Sequence, residues 1–393
     1  MSTAEAGADL RPSLAANPYT PAELIERLGL AGSAEVRAAA ATNPSAAPGL
    51  LTELAVDADD AVRRYVAGNA SCPPQPLAKL ADDEIAQIRV EVAASPAAPA
   101  GVIEKLASDA DKSVRAAVAG NPRCPRPRLL ELATDPEARV RHCVLQNAEA
   151  APDALASAYD PDDFMSRLFL ARNPAAAVVS LEVLVNDPDI PIRLAVARNR
   201  LASPVLLRRL ARDADETVQT AALRHPSCPR PLVIHAASLN DQALRRAVAG
   251  NPMCPPAELY QLAADSAAAV RRAAAGNPSV PGTAASLLAG DANAGVRAAL
   301  AGNPSVPSPL IAALASDDET RVRHRIAFNG TAGPALLAQL AYDGEPNVRA
   351  GIARHRAAAA ATHRHLLADP AASVIESLAF GSRHEDVLAA LAG

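Results

Sequence analysis

NPRCPRPRLLELATDPEARVRHCVLQ, residues 121–146, restates NPSAAPGLLTELAVDADDAVRRYVAG, residues 43–68, at a separation of 78 residues, three periods of 26. Steps of 26 from Asn17 land on Asn43, Asn69, Ser95, Asn121, Asn147, Asn173, Asn199, His225, Asn251, Asn277, Asn303, Asn329 and His355, with no insertion or deletion between them. Fourteen units therefore occupy residues 17–380. Leu10-Arg11 falls where later units carry Val-Arg, so residues 1–16 read as a tail and the second half of a unit. Residues 381–393, GSRHEDVLAALAG, read as the first half of another. A repeat this short cannot bury its apolar face alone and must stack on its neighbours, which is the logic of a solenoid.

Each unit, counted from its Asn as position 1, reads as two short helices. Pro21, Pro48 and Pro125 stand near position 5 or 6, where a missing N–H costs nothing in the first turn of a helix. Leu50, Leu51 and Leu54 follow at i, i+1, i+4 spacing, one face of about two helical turns. Asp at position 15 (Asp57, Asp109) interrupts the run, and a second Asp at 17 is suited to cap the next helix. Val62 and Val66, at positions 20 and 24, make the second apolar pair. Gly-Asn-Pro closes the unit, with Gly or Asn expected to take a left-handed turn and Pro to stop the helix. Neither helix exceeds about ten residues, so each needs its neighbours to form in water, and one of the two is short enough to be 3₁₀. Nothing alternates with period two, so the expected fold is an all-α solenoid of fourteen two-helix repeats with a half-repeat at either end.

The bulk numbers agree. Half of the 393 residues are apolar, yet aromatics make up only 2 % and Trp is absent, which suits thin layers of Ala, Leu and Val. No compositional break marks a linker. A net charge of −5 leaves no global basic footprint, so nucleic acid is not the expected partner. No run of about 18 apolar residues is present to span a bilayer, and the first residues lack a basic stretch followed by an apolar one. These features favour a cytoplasmic protein without membrane partners, monomeric if the half-repeats act as polar caps.

VRAAVAGNPRCPRPRLLELATD (114–135) and LRRAVAGNPMCPPAELYQLAAD (244–265) carry the string V-R-x-x-V-A-x-N-P-x-x-P-x-x-L-L-x-x-L-A-x-D almost intact. This string resembles the leucine-rich repeat variant family, and the likeness covers essentially the whole chain. The resemblance implies a right-handed superhelix of alternating α- and 3₁₀-helices. The Asp-x-Asp…Val-Arg half also looks like HEAT repeats, used mainly for binding. One relative carries an iron–sulphur cluster in a Cys-rich region before its repeats; no such region is found here, and no cofactor or metal is expected.

Most conspicuous residues belong to the consensus. Cys72, Cys124, Cys228 and Cys254 all sit at position 4, where other units have Ala or Val, and read as small buried side chains. Cys143 stands elsewhere and is read in the same way. Arg recurs at position 21 in twelve of fourteen units, Gln219 and Ile375 being the exceptions, and Asp recurs at position 15 in eleven. A guanidinium fork suits a carboxylate, so these two form an ion-pair ladder within or between units rather than a polyanion stripe. The Asn at position 1 reads as a stacked turn residue bonded to backbone. His142, His324, His355 and His384 read as surface residues of helices, and His363 with His365 as a pair pointing in different directions.

Function is better sought where units break the pattern. Arg172, Arg198 and Arg224 hold position 26 in three successive units, with Arg200, Arg208, Arg209 and Arg212 close in sequence, a local basic patch on an acidic chain. The unit from Asn147 has Pro161 in place of Asp and gathers Tyr159, Phe164, Met165 and Phe169, either filling a bend or anchoring a partner; aromatics with Arg are the usual energetic centre of interfaces. Phe328, Arg354 and Phe380 take position 26 in the last units, closing the stack or forming a second patch. No glycine-rich phosphate loop, H-x-x-x-H, C-x-x-C or Gly-x-Ser-x-Gly is present. The expected function is a non-enzymatic scaffold binding a protein or peptide through these residues on a curved face. The alternative is nucleic-acid or phosphorylated-ligand binding by a concave basic surface, by analogy with HEAT-like DNA glycosylases. A pigment-handling role like that of HEAT-like bilin lyases finds no pocket in the sequence.

Overall fold

A computed structural model describes residues 11–382 together with 384, 387 and 390, apart from the side chains of residues 13, 14 and 380. Among these residues the chain forms 29 α-helices and no strand: Arg11–Ala16, then fourteen pairs running from Ala22–Ala31 with Ala34–Thr42 to Ala360–Leu366 with Ala372–Gly381. One pair fills each 26-residue unit. The packing groups into two compact bodies, Met1–Leu201 and Ala202–Gly393, and each is a run of helix pairs stacked in register.

The first helix of a unit follows the apolar spacing. In Pro48–Leu54 the buried side chains are Leu50, Leu51 and Leu54, and Pro48 occupies the first turn. The exit is tight: Ala55 N bonds to Leu51 O, whereas Val56 N and Asp57 N reach only three residues back, to Glu53 O and Leu54 O. The 3₁₀ pattern expected for a whole helix is confined to such closing turns. Both helices of a pair are α, because the 3.6-residue period is what aims Leu50, Leu51 and Leu54 at one core.

The second helix begins as the Asp at position 17 foretells. The Asp59 carboxylate accepts from Ala61 N and Val62 N, and Asp111, Asp163, Asp215 and Asp241 cap their helices likewise. Its end differs from the expectation. No described residue has positive φ; Asn43 is extended at φ −69°, ψ 125°, the region favoured before Pro44. The helix needs no left-handed cap because an Asn side chain from two units on reaches its closing carbonyl. Asn69 Nδ2 donates to Ala41 O at 2.7 Å and to Asn43 O at 2.9 Å, while Asn69 Oδ1 accepts from Ser71 N. The same bonds recur at Asn121, Asn147, Asn277 and Asn303. His355 stands in for Asn: Nε2 faces Asn329 O at 3.0 Å and Nδ1 accepts from Ala357 N. It is therefore a buried member of the ladder, not a helix-surface residue.

The arginine ladder runs between units. Arg63 Nε and Nη2 grip Asp83, 20 residues on, while Nη1 donates back to Asp57 O. Arg–Asp pairs of this kind, among them Arg89–Asp109, Arg115–Asp135 and Arg271–Asp291, have Nε–O distances of 2.6–2.8 Å. The Arg37 hydrogen bond holds the Asp57 carboxyl below the ordinary range, and Arg297 and Arg349 do the same for Asp317 and Asp369. Consensus Asn, Arg and Asp are thus spent on stacking. Position-4 Cys72, Cys124, Cys228 and Cys254 lie buried in the core, and burial pushes their thiols up to about 11 (about 12 for Cys254).

Candidate functional site

With the ladders accounted for, positions 19, 22, 23 and 26 share one face of the second helices, and position 26 is exposed in every unit as far as Arg224. In the body Met1–Leu201 small residues occupy several of these, and the space they leave is a groove of about 510 Å³ lined by Gln87, Val90, Ala94, Ala117, Gly120 and Cys143 among others. Cys143 is half-buried in this wall rather than sealed in the core, which corrects its reading as one more buried thiol. Burial nonetheless raises its pKa. The groove was not legible in sequence, because Ala and Gly at these positions look like ordinary consensus. Only stacking three units shows that their smallness adds up.

On the next helices of the same face, Phe169 packs edge-on against His142 at 5.4 Å, and His142 pairs with Asp163. Beyond it, Arg172 and Arg198 flank a cavity of about 150 Å³ completed by Pro191, Leu194, Ala195 and Asn199. Both arginines close nine-residue helices, Phe164–Arg172 and Ile190–Arg198, and both are exposed. Neither makes an ion pair or hydrogen bond among the described residues. A basic side chain at a helix C-terminus complements the helix dipole, so both charges are tolerated without a partner.

The structure thus brings Arg172 and Arg198 together. Arg224 belongs to the other body, exposed at the end of Glu216–Arg224, its guanidinium about 3.6 Å from where a Cβ on Gly250 would lie. Arg208 and Arg209 lie on the first helix Pro204–Leu210, with Arg212 just after it, so they share no helix layer with Arg224. Phe164 and Phe169 are five residues apart on one helix and face different ways; Phe164 is 39 % exposed and Phe169 half-buried. Phe328 is exposed, edge-on to His324 at 4.9 Å, and Arg354 is exposed too. The Phe380 side chain lies outside the described residues. Of the remaining histidines, His363 is buried and bonded through Nδ1 to Ser382 Oγ at 3.1 Å, while His365 stacks on Tyr342 at 3.9 Å. The two point apart, and among the described residues no cluster of His, Cys, Asp and Glu could hold a metal ion. His384 is half-buried, its Nε2 facing Ala358 O, rather than free on a helix surface. No described helix is long and apolar enough to cross a membrane.

Stacked helix pairs with no deeper chemistry than their ladders define a tandem α-solenoid repeat protein. One stretch of the array, residues 113–137, matches the family model described as "Leucine rich repeat variant", and the sequence pattern of that stretch recurs in the other units. Among solved structures, the chain is similar to one described as a leucine-rich repeat variant with a novel repetitive protein structural motif. The two are 25 % identical over 57 % of this chain and 88 % of the other, at a TM-score of 0.40. A second similar structure is the S. pombe condensin Cnd3-Cnd2 subcomplex, 14 % identical over 94 % of this chain and 58 % of that one, at a TM-score of 0.27. None of the curated proteins matches the chain.

Proposed function

We propose that the chain is a non-enzymatic scaffold that binds an extended segment of a protein partner along the second-helix face of residues 87–199. The observation that carries this reading is the pairing of Arg172 and Arg198 across their cavity, on the same helix layer as the small-residue groove. The ladder arginines are tied to carboxylates or backbone carbonyls of the stack, whereas these two make no such bond among the described residues, so folding does not account for them. Exposed arginines beside apolar contact surface are what interface hot spots are made of. An extended chain laid along the groove would bury its small side chains against Ala94, Ala117 and Gly120 and present carboxylates to the two guanidinium groups.

The test uses the whole protein as bait in lysate, beside an Arg172→Glu/Arg198→Glu variant, with and without nuclease. Hydrogen exchange then maps what the captured material covers. Protein retained by the native chain and lost by the variant, with protection across residues 87–199, supports the reading. Retention that vanishes on nuclease treatment replaces it with nucleic-acid binding, and equal retention by both baits removes the two arginines from the site.

A further inference from the structure

Arg141 keeps its place in the arginine ladder without a carboxylate. Its Nη1 donates to Asp135 O at 2.9 Å and Pro136 O at 3.1 Å, as Arg115 Nη1 does to Asp109 O and Ala110 O. The guanidinium is therefore anchored as in the paired units. Arg115 then turns its Nε and Nη2 onto Asp135 at 2.7 and 3.2 Å; for Arg141 the equivalent position is Pro161, which has no acceptor side chain.

The turn around Pro161 has been rebuilt so that it does not need the missing Asp. The chain leaves the helix Pro152–Ala158 at Tyr159, which is extended at φ −73°, ψ 128°, where Ala133 in the preceding unit is still helical. Asp160 N donates to the buried Ser166 Oγ at 2.8 Å, at a position that is Val in the consensus. Asp160 Oδ1 takes over the local task of the ladder Asp by accepting Asp162 N. Asp163 caps Met165 N and pairs with His142. No carboxylate of the described residues lies within ion-pair reach of Arg141.

The chain also shows what happens when the pair is dispensed with altogether. Gln219 replaces the ladder Arg in one unit, and Leu239 replaces the Asp it would have met in the next. At Arg141 only the acid is gone. We infer that the Nε–Nη2 edge of Arg141 is a receptor for a carboxylate from outside the chain, supplied by an aspartate or glutamate side chain of a polypeptide partner. The donor fork is the one that elsewhere in this molecule grips an Asp side chain carried on a turn, and bidentate guanidinium–carboxylate geometry makes it selective for that group. The site stands apart from the groove and does not depend on it: position 21 opens the second helix, whereas Arg172 and Arg198 close theirs.

The probe is acetyl-Gly-Asp-Gly-amide with a ¹³C-labelled side-chain carboxyl, with the Asn peptide and free acetate as comparisons. Arginine Nε–H resonances of the full chain are followed by NMR, and Arg141 is identified by its loss in Arg141→Gln. The Arg141 signal should move with the Asp peptide and not with the Asn peptide, while Arg63 and Arg115 stay still. The Arg172→Glu/Arg198→Glu variant should keep this response, so failure here and failure of the groove are separate results. Pro161→Asp should fill the fork internally and abolish the response. Arg141→Lys, which leaves the turn untouched and keeps the charge, should weaken the carboxylate's shift on the order of tenfold. An unmoved Arg141 signal, equal responses to Asp and Asn peptides, or full binding by Arg141→Lys would overturn the inference. A response to acetate alone would overturn the side-chain source.

Discussion

Asn121 Nδ2 donates to the carbonyl oxygen of Ala93, 28 residues earlier, at 2.7 Å, and so ends the helix of one unit with the side chain that opens the unit two further on. The same nitrogen reaches Ser95 O at 3.1 Å, and Asn121 Oδ1 accepts from Arg123 N. Three backbone groups meet this one amide, and of the two carbonyls Ser95 O also accepts from Ala98 N at 3.2 Å. Asn121→Ala should lower stability by about 1–3 kcal/mol, from the orphaned Ala93 carbonyl and the lost bonds to Ser95 O and Arg123 N, read as a shift in urea midpoint. Asn121→His should lose less, because His355 makes the equivalent bonds in its own unit.

Arg115 and Asp135 meet with side-chain exposures of 16 % and 6 %, so water screens the pair only in part. Removing either partner alone should cost about 2–4 kcal/mol, and a double-mutant cycle should return a coupling of about 1–3 kcal/mol. The ladder also fixes the response to acid. Folded carboxyls such as Asp57, Asp317 and Asp369 sit below the unfolded value, held down by their arginines. Their contribution is complete above that unfolded value of about 3.9 and is lost as pH falls through the lower folded ones. Circular dichroism should show carboxylate-linked loss of helix only below about pH 4.

Gln219 and Leu239 replace an ion pair by a shorter donor and an apolar side chain half-buried against the core. Leu239→Asp alone should destabilise by about 1–3 kcal/mol through a poorly paired, partly buried charge. Adding Gln219→Arg should recover most of that loss. Urea unfolding of the two single variants and the double variant checks it; independent, additive effects would show that the two positions do not form a rung.

His363 occupies position 9 of its unit, where Leu51, Leu77, Leu129 and Leu337 fill the core of theirs. Burial first, and the neighbouring His384 second, hold its pKa below the ordinary 6.5. Above pH 6.5 the folded and unfolded chains are both neutral there; as pH falls below it, the unfolded chain takes up a proton that the folded one resists, and stability drops. His363→Leu should flatten the stability profile between about pH 6.5 and 5, since it removes the titrating group itself. An unchanged slope in the variant would place the titration elsewhere.

Several features were legible because a repeat states its rules many times over. The 26-residue step located every helix pair, and the Asp at position 17 foretold caps such as Asp59 and Asp111. The recurrent Arg at position 21, matched by the recurrent Asp at position 15, foretold a ladder. Position-4 thiols were read as core and are buried. What failed did so for want of a neighbour. The Gly-Asn-Pro turn pointed to a left-handed residue because the sequence does not show what closes the helix ending at Thr42; the Asn69 side chain, 28 residues on from Ala41, reaches its carbonyl and that of Asn43. His355 and His384 looked like surface residues for the same reason.

The sequence by itself determined the unit, its two helices, the class of fold and which charges belong to stacking, since all of these follow from spacing along the chain. Only the tertiary structure decided which unit each Arg grips, that Arg172 meets Arg198 while Arg208 and Arg209 lie on the first helix of their unit, and that Ala and Gly on two neighbouring second helices, walled by Cys143 on a third, add up to a groove. It alone showed Arg141 anchored with its fork unfilled. Those outcomes depend on which atoms meet after stacking, and a one-dimensional pattern records the period of the layers but not the faces they turn toward each other.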